Sequence, residues 1–226
     1  MNDYIEDLIA KFPTPAQERG SYLYNDLKTC FSPDTQFTFL DMGAGSGSMS
    51  AIILSQFQHS RGELVDVVSR LKMHEFVPNI DENRFVQHPY PATEQLSGKE
   101  FDLVLSMDVL EHIPDWKTAL HGLFQYVRPN GYLYIQTPSN YPSPSYPATS
   151  VYLNYFKGFF GKNNPANHVR HGLSCKSLLD ICSTEFTPIV AAEDYVVNGK
   201  VFCSFKPRTH LLLKKIKWLL QINLSL

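Results

Sequence analysis

The sequence is poor in cysteine and has no strong excess of either charge. Its four cysteines lie far apart among 226 residues and none belongs to a C-x-x-C pair, which argues against a zinc knuckle. Twenty basic and 22 acidic residues leave a net charge of −2, which argues against a generally basic, nucleic-acid-coating protein. No apolar run reaches the roughly 18–20 residues that span a bilayer, so an ordinary integral membrane protein is excluded.

The chain also lacks two local signals. Acidic residues occupy its first positions, where a signal peptide needs a basic stretch followed by an apolar one. No His/Asp cluster has the spacing of a metal site, so we expect no bound metal. We therefore expect a cytoplasmic protein with reduced thiols. What the chain does have is 43% hydrophobic residues, which is enough for one domain with its own core.

Short apolar segments alternate with segments of helical periodicity along most of the chain. Helices are predicted over 3–12, 16–30, 48–58, 114–127 and 174–183. Strands are predicted at 36–41, 63–68, 84–87, 101–107 and 132–137, with later strands at 186–197 and 200–205. Because the strands are nearly all apolar, the pattern indicates an α/β fold whose mostly parallel sheet is covered by helices on both faces.

One domain is expected over residues 1–205, with N-terminal helices within 1–35. The composition changes sharply at 138–150, where four prolines and five serines or threonines predict a loop. An aromatic stretch follows, so the region from about 138 to 172 is interpreted as a lid-like insertion. Residues 206–226 form a separate basic tail.

A glycine-rich turn follows the first predicted strand, in the order Asp41-Met42-Gly43-Ala44-Gly45-Ser46-Gly47. Parallel sheets bind ligands at the carboxyl ends of their strands, and glycine lets a ligand approach the main chain. A dinucleotide site would need a third glycine where Ser48 stands, and the Asp41 carboxylate would repel a pyrophosphate. The turn better suits a ligand with cationic ammonium and sulfonium groups. A nicotinamide-dependent oxidoreductase is therefore the disfavoured alternative.

Asp66 lies near the end of the second predicted strand. An acid at that place can accept hydrogen bonds from both hydroxyls of a ribose. Either Asp41 or Asp66, taken alone, is also typical of a helix cap or a solvated loop. The full succession of strand, glycines, helix, strand and acid favours a nucleotide site.

Four segments resemble class I S-adenosylmethionine-dependent methyltransferases of the ubiquinone- and menaquinone-type branch. FLDMGAGSG is similar to their first motif, and FDLVLSMDVLEHIPDW to their fourth-strand motif. Pro129-Asn130-Gly131 before YLYIQTPSN, and the segment HVRHGLSCKSLLDIC, are similar to later parts of that branch. The resemblance covers about residues 36–205. It implies a Rossmann-like doubly wound sheet with an antiparallel last strand, S-adenosylmethionine as the cofactor and S-adenosylhomocysteine as the product.

The resemblance also implies roles for particular residues. The methionine end of the cofactor is expected at Asp41, Gly43, Ala44, Gly45 and Gly47. Asp66 is expected to take the ribose hydroxyls, and Ser106 and Met107 to pass near the sulfonium and its methyl group. The family places an Asp after the third strand to reach adenine, whereas this chain has His88-Pro89-Tyr90-Pro91. Stacking of adenine on Tyr90 and a bond to a backbone carbonyl are the two alternatives there.

Three histidines are candidate bases, because methyl transfer to a hydroxyl gains from a group that removes its proton. His112 follows the fourth strand at the expected mouth of the pocket, while His168 and His171 flank Arg170 in a later loop. The alternative for His112 is a structural histidine that bonds a neighbouring loop. The alternative for the other two is plain surface polarity.

The acceptor is expected against the aromatic-rich region from 138 to 172. Its rings form a wall for a ring or a sugar face, or they pack a lid helix on the sheet edge. They are Tyr141, Tyr146, Tyr152, Tyr155, Phe156, Phe159 and Phe160. The Asn/Asp-Pro-Pro-aromatic motif of nucleic-acid amino-methyltransferases is missing after the fourth strand, so no nucleic-acid partner is expected.

The tail, residues 206–226, carries five basic residues and no acid. On a helical wheel one stripe carries Lys214, Lys217, Gln221 and Ser225, and leucines, isoleucines and Trp218 cover the rest. Such an amphipathic helix suits the inner face of an anionic membrane, which would favour a lipid-linked acceptor. The alternative is a helix docked on its own domain or on a second copy in a homodimer.

The sequence therefore predicts an S-adenosylmethionine-dependent methyltransferase acting on a small-molecule or saccharide acceptor, with oxygen as the methylated atom. The missing acid after the third strand supports one alternative, a methyltransferase-like binding module that has lost catalysis. Cofactor binding without turnover would distinguish that module from the enzyme.

Overall fold

The strands and helices of the molecule follow the predicted alternation. The computed structural model describes residues 3–68, 70–142, 169, 173, 175–197, 200–201 and 213–222. The helices are α1 (Asp3–Ala10), α2 (Thr14–Cys30), α3 (Ser48–Gln56), α4 (Met73–Phe76), α5 (Trp116–Phe124) and α6 (Cys175–Cys182). The strands are β1 (Thr38–Met42), β2 (Arg61–Asp66), β3 (Phe85–Pro89), β4 (Phe101–Met107), β5 (Val127–Pro142), β6 (Phe186–Val197), β7 (Lys200–Val201) and β8 (Leu213–Ile222). Two 3-10 helices cover Glu82–Arg84 and Leu110–His112.

Five parallel strands form the part of the sheet that positions the site. Their order is β3-β2-β1-β4-β5. The chain winds outward from β1 to β3 on one side and from β4 to β5 on the other, so the strand order reverses between β1 and β4. Such a switch point is where open α/β sheets bind their ligands. The predicted fold class, a Rossmann-like, mostly parallel sheet with helices on both faces, is confirmed.

Two apolar cores cover the two faces of the sheet. One packs α1, α2, α3 and α4 against it through residues such as Leu23 and Ile52. The other packs α5 and α6 on the opposite face through Leu120 and Leu178. A strand buried on both faces needs apolar residues at successive positions, which is why β1 contains the fully buried pair Phe39-Leu40. Each such side chain stabilises the fold by about 1.5–3 kcal/mol.

Local signals explain where two of the helices begin. Pro15 lies in the first turn of α2, where its missing amide hydrogen removes no helical hydrogen bond. Asp115 caps α5 by accepting a hydrogen bond from the Thr118 amide at 3.2 Å. The two helices pack in different cores, α2 through Leu23 and α5 through Leu120, on opposite faces of the sheet.

Gly62 of β2 is restricted to glycine by its neighbouring strand. It lies opposite Phe39 of β1 in the sheet register. The Phe39 ring covers Gly62 so closely that any Cβ at this position would overlap it. The ring is fully buried, so the space that a side chain at Gly62 would need is already filled.

Two strands differ most in extent from their predictions. β2 ends at Asp66 rather than at residue 68, so Val67 and Val68 lie beyond it and are 73% and 44% exposed. β5 extends from Val127 to Pro142, which overlaps the start of the loop predicted at 138–150. The turn predicted at 129–131 falls inside β5, at an irregularity in its pairing with β4.

The tail prediction needs the largest correction. The helix predicted within 206–226 is wrong for Leu213–Ile222, which form the strand β8. β8 pairs antiparallel with β5 on one side and with β6 on the other. Hydrogen bonds to two neighbouring strands outweigh the local helical periodicity, because sheet formation depends on context more than on local propensity. A membrane-surface helix therefore has no basis over these residues.

Among the described residues, no helix has both the length and the apolar content needed to cross a membrane.

Candidate functional site

The glycine turn lies at the carboxyl end of β1, at the switch point of the sheet. Gly43, Gly45 and Gly47 have φ angles of +90°, +57° and +79°, a region that only glycine enters without strain. The amides of Gly43 and Ala44 donate hydrogen bonds to the Val65 carbonyl at 2.7 and 3.1 Å. These bonds fix the turn to the end of β2.

The three glycines of the turn have different surroundings. A Cβ at Gly43 would overlap Val109, and one at Gly47 would lie 2.6 Å from the Met73 sulfur. A Cβ at Gly45 would meet no described atom within 4 Å. Bare main chain at Gly45 therefore faces open space, where a ligand can approach the turn.

Asp66 lies beside this opening as the last residue of β2. One carboxylate oxygen accepts a hydrogen bond from the Gly45 amide at 2.8 Å, and the other accepts one from the Val68 amide at 3.0 Å. A carboxylate oxygen has two lone pairs. Asp66 thus holds the turn in place and retains the capacity to accept two further donors.

Asp41, at the end of β1, is a buried carboxylate of the site. It is only 3% exposed and accepts a hydrogen bond from the Ser50 hydroxyl of α3 at 2.6 Å. Burial, reinforced by the nearby Asp66 charge, raises the pKa of Asp41 to about 7, although the Ser50 hydrogen bond acts to lower it. We refer to Asp41–Gly47, Ser50 and Asp66 as the glycine corner.

The ends of β4 and β3 flank the glycine corner. Ser106 and Met107 end β4, next to β1, and are 1% and 8% exposed. The Ser106 hydroxyl has no hydrogen-bond partner among the described residues. Tyr90 follows β3, is 59% exposed, and its amide donates to the Asp66 carbonyl at 2.9 Å. The structure thus places the residues predicted for the sulfonium and for adenine on opposite sides of Asp66.

An ion pair connects α2 with the end of β4. Arg19 of α2 pairs with Asp108, whose φ of +53° is unusual for a residue other than glycine. The Asp108 amide donates to the backbone carbonyl of Gln136 in β5 at 2.8 Å. Within the described part of the chain, no partner reaches Asp108 Oδ1 or either polar atom of the buried Gln136 side chain.

Glu111, in the 3-10 helix that follows β4, is fully buried. Its Oε2 accepts a hydrogen bond from the Thr137 hydroxyl of β5 at 3.2 Å, and its backbone carbonyl accepts one from the Val169 amide at 3.1 Å. Burial, reinforced by the Asp108 charge, raises the pKa of Glu111 to about 8. We refer to Ser106, Asp108, Glu111, Gln136 and Thr137 as the β4–β5 corner.

Only one candidate base, His112, falls within the described residues. It is half-buried at the end of the same 3-10 helix, and its amide donates to the Val109 carbonyl at 3.0 Å. His168 and His171 lie outside the described residues, as do the predicted aromatic wall residues from 146 onward. Where the chain is described, no group of three or more His, Cys, Asp or Glu is arranged to hold a metal ion.

The glycine corner fits a cationic nucleotide ligand. Main chain at Gly45 is open to approach, and the carboxylates of Asp41 and Asp66 oppose a pyrophosphate and favour positive charge. A family model described as a methyltransferase domain matches residues 1–175. The chain belongs to the class I S-adenosylmethionine-dependent methyltransferases. S-adenosylmethionine is the methyl donor of this family.

Individual relatives agree with this membership. The trans-aconitate 2-methyltransferase of Deinococcus radiodurans is 28% identical over 147 residues, which cover 62% of this chain and 55% of that protein. A ubiquinone biosynthesis O-methyltransferase of Aromatoleum aromaticum is 32% identical over 102 residues, which cover 43% of this chain and 42% of that protein. The chain thus spans about half the length of the curated relatives it matches.

A solved methyltransferase shows the same fold. The N-methyltransferase NodS of Bradyrhizobium japonicum, in complex with S-adenosylhomocysteine, superposes with a TM-score of 0.61 at 14% sequence identity. The superposition covers 94% of this chain and 89% of that one. At this identity the likeness concerns the fold alone.

Several polar residues of the site were not predicted from the sequence. Ser50 had a usable signal, because a serine within the buried stretch Met49–Leu54 needs a hydrogen-bond partner. The Arg19–Asp108 ion pair and the Glu111–Thr137 hydrogen bond had none. Their partners come from elements far apart in the chain, and only the folded sheet brings them together.

Proposed function

We propose that this protein transfers a methyl group from S-adenosylmethionine to a small-molecule acceptor, with oxygen as the methylated atom. The opening at Gly45 beside Asp66 is the observation that carries this proposal. A carboxylate that holds the turn and still accepts two donors suits the adjacent hydroxyls of a ribose. Bare main chain beside it suits the amino-acid end of the same ligand.

The donor side of the mechanism rests on the glycine corner. Asp66 takes the ribose hydroxyls, the Gly43–Gly47 turn takes the methionine end, and Asp41 supplies negative charge behind it. Ser106 and Met107 pass near the sulfonium, and Tyr90 covers the adenine. The donor's sulfonium supplies a methyl group that is already activated. The chain's own residues therefore have to bind, align and exclude water.

The acceptor side rests on the β4–β5 corner. Buried polar groups without partners in the described structure, such as the Gln136 amide and the Ser106 hydroxyl, are unfavourable unless a ligand satisfies them. An acceptor that carries hydroxyl or carboxyl groups would do so, and His112 would remove the proton of the methylated hydroxyl. The names of the relatives, one for trans-aconitate and one for ubiquinone biosynthesis, support a small organic acceptor. Saccharides and lipid-linked compounds remain within this proposal.

Titration calorimetry with S-adenosylhomocysteine tests the donor side. We expect micromolar binding by the wild type and about 30- to 100-fold weaker binding by Asp66→Asn, because a charged acceptor of two hydroxyls is lost. Asp102→Asn is the matched control. Asp102 also accepts a backbone amide, from Thr38 at 2.8 Å, and it pairs with Arg128, but it lies near the amino end of β4. Equal binding by the wild type and Asp66→Asn would contradict the assignment.

Turnover tests the acceptor side. The protein is incubated with methyl-labelled S-adenosylmethionine and a panel of polyhydroxylated aromatic acids, tricarboxylic acids and sugars. We expect label on an oxygen of at least one of them, and less of it with His112→Gln. Tight donor binding with no transfer to any acceptor would favour the binding module instead.

A further inference from the structure

Ser50 and Asp41 flank the glycine turn in the chain and form a buried hydrogen-bonded pair. Ser50 is fully buried in the first turn of α3, and Asp41 is 3% exposed at the end of β1. Their side-chain oxygens lie 2.6 Å apart, with the hydroxyl donating to the carboxylate. A charge-assisted hydrogen bond of this length belongs to the strong class.

Ser50 and Ser55 lie in the same helix, α3, but their hydroxyls donate to different kinds of acceptor. Ser55 donates to the Ala51 carbonyl of its own helix at 2.6 Å, as helical serines commonly do. Ser50 instead reaches across to another element and meets a charged group. Its hydroxyl therefore fixes the side chain of Asp41 relative to the turn.

Around Asp41, the Ser50 hydrogen bond lowers the pKa of the carboxylate, whereas burial and the Asp66 charge raise it. α3 contains no ionisable residue. Asp66 at the end of β2 raises the pKa of Asp41, in the same direction as burial. On the other neighbouring strand, Asp102 lies at the far end of β4 and pairs with Arg128. Arg19 of α2 is paired with Asp108. The Ser50 hydrogen bond thus favours the ionised carboxylate against burial and a like charge.

We propose that Ser50 is a positioning residue of the donor site, which acts through Asp41 and sets the pH range over which the cationic donor binds. This inference rests on the proposed function, because it requires that the glycine corner binds the donor. Ionised Asp41 attracts the ammonium group that donor and product share, whereas neutral Asp41 does not. Donor binding therefore favours loss of the proton from Asp41.

The direction of the pH effect follows from the raised pKa of Asp41, about 7. Affinity for S-adenosylhomocysteine should rise between pH 6 and pH 8 as Asp41 ionises. Removal of the Ser50 hydroxyl takes away a bond that favours the ionised form, so the pKa of Asp41 rises and the increase in affinity moves to higher pH. A threonine at this position keeps the hydroxyl and should restore the profile.

The experiment is calorimetric titration of the full chain with S-adenosylhomocysteine from pH 6 to pH 8.5, in two buffers of different ionisation enthalpy. We expect the wild type to release a proton on binding near neutral pH. We expect Ser50→Ala to bind about 5- to 10-fold more weakly at pH 7, with the midpoint of its profile moved upward, and Ser50→Thr to resemble the wild type. Ser55→Ala is the matched control and should leave the profile unchanged.

The outcomes separate this inference from the proposed function. No binding by the wild type at any pH would contradict the donor site itself. Wild-type binding with the same pH profile in Ser50→Ala would overturn the positioning role alone, even if the melting temperature falls. If Ser50→Ala does not fold, Ser50→Cys replaces it, because a thiol keeps the volume but is a weak donor. An unchanged profile in Ser50→Cys would then overturn the role.

Discussion

The glycine corner and the β4–β5 corner share one edge of the sheet, but they differ in how their polar groups are partnered. In the glycine corner, Asp66 accepts two backbone amides and Asp41 accepts Ser50. In the described β4–β5 corner, the Gln136 amide and the Ser106 hydroxyl have no partner. The first corner is organised by hydrogen bonds within the chain, whereas the second leaves buried polar groups without described partners, which an acceptor would satisfy under the proposed function. This contrast is what we expect if the first corner binds a cofactor common to the family and the second binds an acceptor particular to this protein.

Substitution of the glycines tests how rigid the first corner is, with the largest expected effect. Gly43→Ala should destabilise the protein by about 3–5 kcal/mol, because a Cβ there overlaps Val109 at a φ of +90°. Gly45→Ala should cost about 1–2 kcal/mol, since its Cβ meets no described atom and only its φ is strained. Urea denaturation measures both changes.

The same two variants separate folding from binding. Gly45→Ala should remain folded yet bind S-adenosylhomocysteine at least about tenfold more weakly, because its methyl group occupies the space where the ligand approaches. Equal destabilisation by both substitutions would mean that the corner yields to the new side chains and is not rigid.

Glu111 gives a second test, through the pH dependence of stability. Its pKa is raised to about 8 in the fold. Between its ordinary value of 4.5 and about 8, the unfolded chain loses this proton while the folded chain keeps it. Stability from this group therefore falls as pH rises through that range, by an amount on the order of 2–4 kcal/mol.

Glu111→Gln should flatten this dependence, because an amide does not titrate and its carbonyl still accepts from Thr137. Denaturation curves at pH 5, 7 and 8.5 measure the free energy of unfolding of the wild type and of Glu111→Gln. The pH dependence that Asp41 contributes is the same in both proteins. An identical loss of stability in both proteins would show that Glu111 is ionised in the fold and that the corner is not a low-polarity site.

Gln136 provides the smallest but most direct test of the second corner. Gln136→Leu should raise the stability by about 1–2 kcal/mol, because it removes a buried amide that has no described partner and keeps a similar volume. S-adenosylhomocysteine binding should stay within about threefold, while turnover of any accepted substrate should fall. A loss of stability would place the amide among the structural groups and weaken the contrast between the corners.

Apart from Ser50, the glycine corner was predictable from sequence because most of its residues are neighbours in the chain. Asp41 lies at the end of β1 and the three glycines follow that strand, while the register of β1 and β2 brings Asp66 beside them. The same holds for α2, whose start is marked by Pro15. Strand–turn–helix succession is a local pattern, and its periodicity can be read from the residues.

The β4–β5 corner and the C-terminal strands were not predictable in the same way. Arg19 of α2 and Asp108, which follows β4, meet only in the folded chain, and Thr137 meets Glu111 only through the pairing of β4 with β5. Residues 213–222 have a helical periodicity, yet they lie between β5 and β6. Long-range pairing decides these cases, and a single sequence carries no direct record of it.

The contact between Gly62 and Phe39 constrains how this sheet can evolve. A side chain at position 62 is tolerated only after the ring at position 39 has been lost, and loss of that ring first opens a cavity worth about 3–5 kcal/mol. A larger residue at position 62 therefore requires a smaller one at position 39, and the change at position 39 has to come first. In a randomised library, viable variants larger than glycine at position 62 should carry a smaller residue at position 39.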